Sequence, residues 1–379
     1  MCTKYIYFWI LGFATLMIVY TSYWASIDRV DFEQNILTLQ VKIKYILLWN
    51  SWYPPSIDYG FGIGDEPFKK HKCEYTNCYI THDKLYKPFS EYDAIVFHAP
   101  LLHLFPAISN RTYQQRYIFL SKESPVYFRT YQYYDAFFNW TITYREDSDI
   151  FVPYGAIKRR EKRVIREYKN FTKKNLVAWM VSRCETAGRR EDYIEELNEY
   201  IQVDVYGRCG NNKCPKEHWK ECYDMIQNNY KFYLSFENSL CKDYVTEKLF
   251  NILQYDVIPV VYGSADYNRI LPPYSYINAL DNSPSELANL LKDIGNDAIK
   301  YQRYFNWKEE YDLHVYDNSL FVKHAFCQLC KKLHTDTEKK FYGNFNKWWI
   351  DGSKCTKDPI IQKAQVLHFW KWNRNGTVT

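Results

Sequence analysis

Residues 236–250, FENSLCKDYVTEKLF, bring three acidic residues, two lysines and an asparagine together around one predicted helix start. The preceding stretch, KFYLSFEN (231–238), has the pattern of a buried strand, and VTEKLFNIL (245–253) has that of a helix. The residues between them therefore form a strand-to-helix turn. In α/β sheets such turns, at the carboxyl ends of strands, present side chains to ligands.

This turn has the chemistry of an anion site. Asp243 is the predicted N-cap, which puts Glu247 and Lys248 in the first helical turn, beside unpaired backbone N–H groups. A helix amino end attracts anions, Lys248 can hold a diphosphate, and Glu247 can accept hydrogen bonds from two ribose hydroxyls. The turn is predicted to hold a nucleotide diphosphate, although an ordinary capped helix with a surface Glu and Lys explains this short motif equally well.

Strand and helix patterns alternate along most of the chain. Its 379 residues, of which 47% are hydrophobic, suffice for two domains with their own cores and exclude a disordered chain. Alternation of strands with helices predicts parallel sheets. Strand patterns occur at 44–52, 91–100, 116–125, 176–182, 203–207, 231–238, 257–263 and 275–281, and helix patterns at 190–201 and after the capping box at 283–286.

A basic run at 158–174 contains nine basic and two acidic residues. A nucleic-acid patch is one interpretation, but a charged helix or linker between two lobes is the commoner meaning of such a run. The net charge is only +5 and no nucleic-acid-binding motif accompanies the run. We therefore predict a linker and no nucleic-acid partner.

The amino-terminal segment predicts the compartment. Residues 5–24 carry no charge and have the length of a membrane-spanning helix, whereas the apolar part of a cleaved signal peptide is usually shorter. We predict a single-pass anchor with a cytosolic tail at 1–4, a stem at 25–43 and the rest of the chain on the lumenal side.

The cysteines and sequons agree with a lumenal address. Of eleven cysteines, only Cys2 lies before the predicted anchor, which leaves an even number for disulfides. Zinc is less favoured for the CxxC at 327–330, because no partnering His/Cys pair stands at zinc-site spacing. The candidate N-glycosylation sites are Asn110, Asn139, Asn170 and Asn375.

The second half of the chain resembles the donor-binding part of the α1,3-fucosyltransferases. The resemblance lies in FENSLCKDYVTEKLFNILQYDVIPVVYG, ILPPYSYINALDNSPSEL and YQRYFNWKEE. Further pieces follow in the family's order: CYITHDKL, the ESP at 123–125, NWTITYREDSDIFVPYG at 139–155 and the CxxC. The similarity extends over roughly residues 44–332.

The resemblance implies an α/β, GT-B-like fold with two Rossmann-like domains that face a cleft. The acceptor-side domain with the catalytic base corresponds to residues 44–170, and the GDP-fucose-binding domain to 171–332. Residues 333–379 form a carboxyl-terminal extension without an assigned role. In similar enzymes, cysteines near the start of the catalytic region pair with the CxxC; here these are Cys73 and Cys78 with Cys327 and Cys330, and the pairing between them stays open.

The family inverts the anomeric centre, so a carboxylate must take the acceptor's proton from the face opposite the leaving diphosphate. The resemblance assigns this role to Glu123; from the residues alone, His98 is an equal candidate. It also implies the donor-site residues Arg190, Glu237, Asn238, Tyr244, Glu247 and Lys248, with Arg189 as the alternative to Arg190 at the diphosphate.

The cationic side chains make a metal cofactor unnecessary in this interpretation. Asp147-Ser148-Asp149 matches the metal clamp of another glycosyltransferase fold, but it lies in a stretch that resembles a structural segment of the family's acceptor domain. We therefore predict no metal site. Added Mn²⁺ can stimulate by screening the donor's charge.

The resemblance implies an inverting Golgi membrane enzyme that moves L-fucose from GDP-β-L-fucose to the 3-hydroxyl of GlcNAc in glycans of glycoproteins or glycolipids. CGNNKCP (209–215) and SLCKDY (239–244) favour the N-glycan core GlcNAc, whereas SLxxDY with TEKL also resembles antennal, Lewis-type enzymes. A catalytically inactive membrane-anchored lectin is the third alternative; the intact Glu123, Glu247 and Lys248 argue against it.

Overall fold

The computed structural model describes residues 17, 20–23, 42–50, 60–99, 111–127, 134–166 and 173–355. The chain divides into two compact units, residues 1–44 and 45–379, and the elements below lie in the second, apart from Lys44. Among the described residues, no helix combines the length and the hydropathy needed to cross a bilayer. The predicted anchor at 5–24 lies largely outside the described residues, as do Asn110, Asn170 and Asn375.

Within the second unit, we call the part of the chain that extends to β7 the first half and the part from β8 onward the second half. The first half contains a six-stranded sheet with the order β2-β1-β3-β4-β5-β6. The pairs β1–β3, β3–β4, β4–β5 and β5–β6 are parallel, as predicted. A short helix, α1, precedes β2, and β7 follows the sheet. The bounds are β1 Lys44–Leu48, α1 Glu66–Lys70, β2 Cys78–Thr81, β3 Ala94–His98, β4 Arg116–Ser121, β5 Trp140–Thr143, β6 Ile150–Phe151 and β7 Gly155–Arg159.

The second half contains a five-stranded, wholly parallel sheet with the order β12-β11-β10-β8-β9, and helices connect its strands. The last strand, β13, pairs with β7 in an antiparallel ribbon. The bounds are β8 Asn175–Met180, α2 Arg190–Asn198, β9 Val203–Tyr206, α3 Trp219–Asn229, β10 Tyr230–Phe236, α4 Glu247–Phe250, β11 Ile258–Tyr262, α5 Tyr267–Ile270, β12 Ile277–Asn278, α6 Pro284–Asn296, α7 Ala298–Arg303, β13 Tyr311–Val315 and α8 Asn318–Thr335.

Two local predictions can be compared directly with these elements. The capping box that opens α6 is present, since Ser283 and Glu286 bond each other's backbone N–H groups. The described part of the basic run is not helical; it begins in β7 and continues as irregular chain. Arg160 forms an ion pair with Asp312, and Arg163 forms one with Glu309. Acidic residues in and just before β13 therefore balance part of the positive charge of the run.

The last long helix, α8, returns to the first sheet. Phe321, Phe326 and Leu329 are buried in the same core as the strands of that sheet. The disulfides Cys73–Cys327 and Cys78–Cys330 attach α8 there, which answers the open question of pairing and removes these cysteines from the zinc alternative. Because the first of these bonds to form closes a loop of about 250 residues, the entropy model assigns it about 5 kcal/mol of stabilisation; the second then closes only a short loop and contributes less.

Residues 336–355, which we call the C-terminal strap, pack on both halves. Phe345 and Trp349 are fully buried in a core shared by strands of the first sheet and by α4. The strap ends in the disulfide Cys241–Cys355, and Ser353 accepts a hydrogen bond from the backbone N–H of Lys242 at 2.8 Å. The strap thus fastens the strand-to-helix turn of the second half; residues 356–379 lie outside the described part.

The predicted glycosylation of Asn139 is corrected by the structure. Asn139 is only 8% exposed, at the start of β5. Its Nδ2 donates to the carbonyl of Lys340 at 2.8 Å, and its Oδ1 accepts from the backbone N–H of Tyr117 at 2.8 Å. Because the amide nitrogen is buried and bonded, it has no room for a glycan in the folded chain.

Candidate active site

A cleft of about 340 Å³ is lined by side chains from both halves. Its polar lining includes Glu123, from the loop after β4, and residues at the carboxyl ends of β8 and β10. A second part of the lining is apolar and aromatic. The polar group comprises Glu123, Ser182, Arg183, Arg190, Asn238, Glu247 and Lys248, and the apolar group Met180, Val181, Pro215, Trp219, Tyr223 and Tyr233.

The N-cap of α4 is Thr246, not the predicted Asp243. The Thr246 side chain accepts from the backbone N–H of Lys248. Asp243 instead occupies the left-handed region at φ 60°, which Asp tolerates better than most residues. Its carboxylate accepts from the backbone N–H of Glu146 at 3.4 Å. Glu247 and Lys248 do lie in the first turn, as predicted.

α4 has a single turn, so its peptide dipoles contribute little, and the positive charge of the turn resides on side chains. Lys248 Nζ lies 3.2 Å from Glu237 Oε2, 3.2 Å from Glu247 Oε1 and 2.9 Å from Thr246 Oγ1. Burial alone would lower the pKa of Lys248, but the carboxylates of Glu237 and Glu247 outweigh it and raise the pKa. Lys248 therefore stays cationic.

Glu237 lies behind the cleft wall, at the end of β10, and is 1% exposed. Its Oε1 accepts from the backbone N–H of Thr246 at 2.7 Å and from Thr246 Oγ1 at 2.9 Å. Burial raises its pKa, although Lys248 opposes the shift. Glu237 is thus placed to hold Lys248, and its predicted direct contact with the donor stays a prediction.

Glu247 faces the cleft with 42% of its side chain exposed. Burial alone would raise its pKa, but the charge and hydrogen bond of Lys248, together with the charge of Lys122, lower it. The Glu247 carboxylate is therefore ionised and partly exposed in the cleft, where it can accept hydrogen bonds from neighbouring hydroxyls.

The structure distinguishes between the two candidate arginines. Arg190 is 3% exposed, lines the cleft, and donates to the carbonyls of Phe236 at 2.6 Å and Arg183 at 3.2 Å. Arg189 is the N-cap of α2 and pairs with Asp192 at 2.5 Å. Arg190 is therefore the one whose guanidinium is rigidly held at the cleft.

Glu123 is in direct contact with the strand-to-helix turn at 237–248, which we call the donor turn after its predicted role. Glu123 Oε2 accepts a hydrogen bond from Tyr244 Oη at 2.8 Å. The buried hydroxyls of Ser124 and Ser239 lie 2.6 Å apart. Asn238 lines the cleft, and its carbonyl accepts from Tyr127 Oη at 3.0 Å. The loop that carries Glu123 is thus bonded to the turn that carries Lys248.

Tyr244 is 1% exposed and is not among the residues that line the cleft. Its predicted contact with the donor therefore stays a prediction. His98, the alternative base, is buried at the end of β3, where burial lowers its pKa to about 4, and it does not line this cleft either.

Both carboxylates of the Asp-x-Asp motif have structural partners. Asp147 pairs with the buried Arg145 at 2.5 Å. Asp149 lies 2.6 Å from Lys340 Nζ and accepts from Tyr342 Oη at 2.7 Å. The two acids thus fasten the C-terminal strap and its neighbours to the first sheet.

Sequence reasoning identified five of the lining residues and missed the others, of which Arg183 and Trp219 matter most for ligand binding. Arg183 lies three residues after the end of β8, and its position beyond the carboxyl end of a strand could have identified it. Its guanidinium lies 4.5 Å from the ring of Tyr127. Trp219 is 39% exposed at the start of α3, next to the disulfide Cys214–Cys222, and no local pattern indicates its proximity to the cleft.

Known protein families and individual proteins are similar to this chain in sequence. Two family models match the chain: "Glycosyltransferase family 10 (fucosyltransferase) C-term" over residues 170–348 and "Fucosyltransferase, N-terminal" over residues 41–155. The alpha-(1,3)-fucosyltransferase C of Drosophila melanogaster is 38% identical over 314 residues, which cover 74% of this chain and 71% of that protein.

A second relative, the glycoprotein 3-alpha-L-fucosyltransferase A of Drosophila melanogaster, is 35% identical over 83% of this chain and 62% of its own length. Among solved structures, a crystal structure of an alpha1,3-fucosyltransferase superposes with a TM-score of 0.52 at 15% identity. The superposition covers 81% of this chain and 94% of that one. Because the sequence identity is low, the similarity shows a shared fold only.

Proposed function

The chain belongs to glycosyltransferase family 10, the fucosyltransferases, and from this premise we propose that it transfers L-fucose from GDP-β-L-fucose to the 3-hydroxyl of a GlcNAc residue in a glycoprotein glycan, with inversion. One observation carries the proposal. Glu123 lines the same cleft as Arg190, Glu247 and Lys248, so a proton acceptor faces a set of groups suited to a nucleotide diphosphate. The two sheet-bearing halves then act as the two Rossmann-like domains of a GT-B-like enzyme.

The cleft offers partners for each part of GDP-fucose. Lys248 and Arg190 supply fixed positive charge for the diphosphate, and Arg183 adds a third cation in the same lining. Glu247 is ionised and accepts from the ribose hydroxyls. The aromatic lining, with the partly exposed Trp219, provides a surface on which a purine can stack.

The chemistry follows from this arrangement. The acceptor 3-hydroxyl attacks the anomeric carbon of fucose, the bond from that carbon to the diphosphate oxygen breaks, and GDP leaves with the bonding electrons. The hydroxyl proton passes to Glu123, which stabilises the transition state on the side opposite the leaving group. Lys248 and Arg190 stabilise the negative charge that develops on the diphosphate, and each tenfold gain in rate requires about 1.4 kcal/mol of such stabilisation.

These side chains offer the positive charge that leaving-group departure requires, so a divalent metal is not obligatory in this mechanism. Asp147 and Asp149 are paired with Arg145 and Lys340 and contribute to the structure instead. Stimulation by Mn²⁺ through screening is compatible with the mechanism. EDTA is then expected to leave most of the transferase activity in place.

For the acceptor, we favour the innermost GlcNAc of N-glycans. CGNNKCP (209–215) and SLCKDY (239–244) resemble enzymes with that specificity, and a relative carries the name glycoprotein 3-alpha-L-fucosyltransferase. The disulfides Cys184–Cys209 and Cys214–Cys222 brace the first of these segments, and Cys214 lines the cleft. A core glycopeptide should accept fucose, whereas free N-acetyllactosamine should be a poor acceptor.

We also propose that the enzyme is a type II protein of the Golgi membrane with a lumenal catalytic region. The five disulfides of the described part support an oxidising compartment. A carboxyl-terminal epitope tag should resist protease in intact microsomes and become sensitive after detergent. Sensitivity in intact microsomes would contradict this topology.

A transfer assay tests the proposed function. The full-length chain, expressed in a secretory host and solubilised in detergent, is incubated with GDP-fucose and both acceptors, with and without EDTA. We expect an α1,3-linked product, identified by NMR, and loss of product with Glu123→Gln. Glycan binding without any turnover would identify a lectin instead, and a β-linked product would exclude the inverting mechanism.

A further inference from the structure

We propose that Tyr244 is a positioning residue for Glu123: its phenol, supplied by the donor-binding half, fixes the orientation of the carboxylate that accepts the proton. This inference rests on the proposed function. It gives Tyr244 a role across the cleft, whereas the family resemblance alone would place it among the donor contacts.

The first argument is the geometry of the hydrogen bond. Tyr244 Oη lies 2.8 Å from Glu123 Oε2, and Tyr244 is 1% exposed. Burial raises the pKa of Tyr244 well above its usual value, so the phenol keeps its proton and only donates to the carboxylate. Among the described residues, Glu123 Oε1 accepts no hydrogen bond. One oxygen is therefore held, and the other is available to the acceptor hydroxyl.

The second argument is that Tyr244 itself is firmly held. Its ring packs against Tyr144 with centroids 4.9 Å apart and planes at 66°. Its backbone N–H donates to the carbonyl of Cys241 at 3.2 Å, and Cys241 is bonded to Cys355 of the C-terminal strap. A side chain that is buried, packed and tied at its backbone keeps the phenol in one place, which an orienting donor requires.

Other groups also influence the carboxylate. The charged and titratable groups around Glu123 are Lys122, Tyr144 and Tyr154 on its own half, and Arg183, Arg190, Tyr244, Glu247 and Lys248 on the other. Within this set and in the described part of the chain, Tyr244 is the residue that bonds Glu123 Oε2 directly. A hydrogen bond donated to one carboxylate oxygen fixes the orientation of the group, so loss of the phenol hydroxyl should leave the Glu123 carboxylate free to rotate away from the acceptor hydroxyl.

The test compares Tyr244→Phe with Tyr144→Phe in the full-length enzyme. Each change removes one buried phenol hydroxyl from the same aromatic layer, but only Tyr244 bonds Glu123. For Tyr244→Phe we expect kcat to fall about 10- to 100-fold, the range of a hydrogen bond to a charged group. KM for GDP-fucose and Kd for GDP, measured by calorimetry, should stay within about twofold, so the loss should fall on kcat alone. Tyr144→Phe should leave all three quantities near wild type.

A second background separates orientation from general stability. In Glu123→Asp the shortened carboxylate no longer reaches the phenol, so adding Tyr244→Phe should cost little further activity. Retained GDP affinity in each variant shows that the donor half is folded.

Three outcomes would overturn the inference. These are wild-type kcat in Tyr244→Phe, a raised KM and Kd with unchanged kcat, and a full additional loss in the Glu123→Asp background. The second of these would identify Tyr244 as a donor contact. If the wild-type chain transfers no fucose at all, the proposed function fails and this inference with it; failure of the inference alone leaves wild-type transfer intact.

Discussion

The donor turn and the loop that carries Glu123 border the same cleft, but they are held in place differently. In the donor turn, Glu237, Thr246 and Lys248 bond one another within a single strand-to-helix connection. Glu123 is held by Tyr244, a residue 121 positions further along the chain. The donor turn is therefore held by local contacts, whereas the placement of Glu123 depends on contact between the two halves.

The largest expected effect is on the base side. Glu123→Gln should lower kcat about 1000-fold, because the amide cannot take the acceptor's proton. Its affinity for GDP should change less than about threefold, since the side chain oxygen can still accept from Tyr244. Glu146→Gln is the matched control, because Glu146 pairs with Arg269 outside the cleft. Near-normal turnover of Glu123→Gln would show that the base has been misassigned.

The next effect concerns the stability of the first half. His98 has a folded-state pKa of about 4, below the ordinary value of 6.5, so the unfolded chain binds its proton first as the pH falls. The free energy of unfolding should therefore be highest above pH 6.5 and decrease toward pH 4, by about 3 kcal/mol for this residue.

Urea denaturation at several pH values measures this contribution. His98→Leu should remove that part of the pH dependence, whereas His82→Gln, a change at an exposed histidine, should retain it. An equal slope in wild type and His98→Leu would contradict the assignment.

On the donor side, Lys248→Ala should weaken GDP binding about 30- to 100-fold. The diphosphate loses a cation, and the buried Glu237 loses the charge that compensates it. Lys242→Ala, in the same turn but 41% exposed and outside the cleft lining, should bind GDP normally. Equal affinities of the two variants would refute the role of Lys248.

The smallest effect tests whether the donor turn is a local unit. Thr246→Val removes the hydroxyl that bonds Glu237 and Lys248, so GDP affinity should fall about tenfold. Thr246→Ser keeps that hydroxyl and should bind GDP like wild type. If both substitutions weaken binding equally, packing of the threonine methyl group, and not the hydroxyl, determines the effect.

The donor turn was accessible to sequence reasoning because its members are neighbours in the chain. Strand and helix periods bracket it, and Glu247 and Lys248 lie in the first helical turn as predicted. The N-cap was wrong because Asp243 and Thr246 are both capping residue types. Only the left-handed backbone at Asp243, which the pattern does not reveal, moves the helix start to Thr246.

Long-range features were harder to predict. The sequon at Asn139 satisfies its local rule, yet the carbonyl of Lys340, 201 residues later, binds its amide. The hydroxyl of Tyr244 likewise finds Glu123 only after the two halves meet. Periodicity reports on local structure and on which face is buried, but it carries no information about which distant residues become partners.

The C-terminal strap has a consequence for how the protein is made. Cys73, Cys78 and Cys241 pair with cysteines at positions 327, 330 and 355, so these three native bonds cannot close until the ribosome has translated those later positions. For Cys73 and Cys78 the partners are synthesised 254 and 252 residues later. A premature stop codon shortly after residue 332 would leave Cys241 without its native partner, and quality control would receive a chain that contains every predicted catalytic residue.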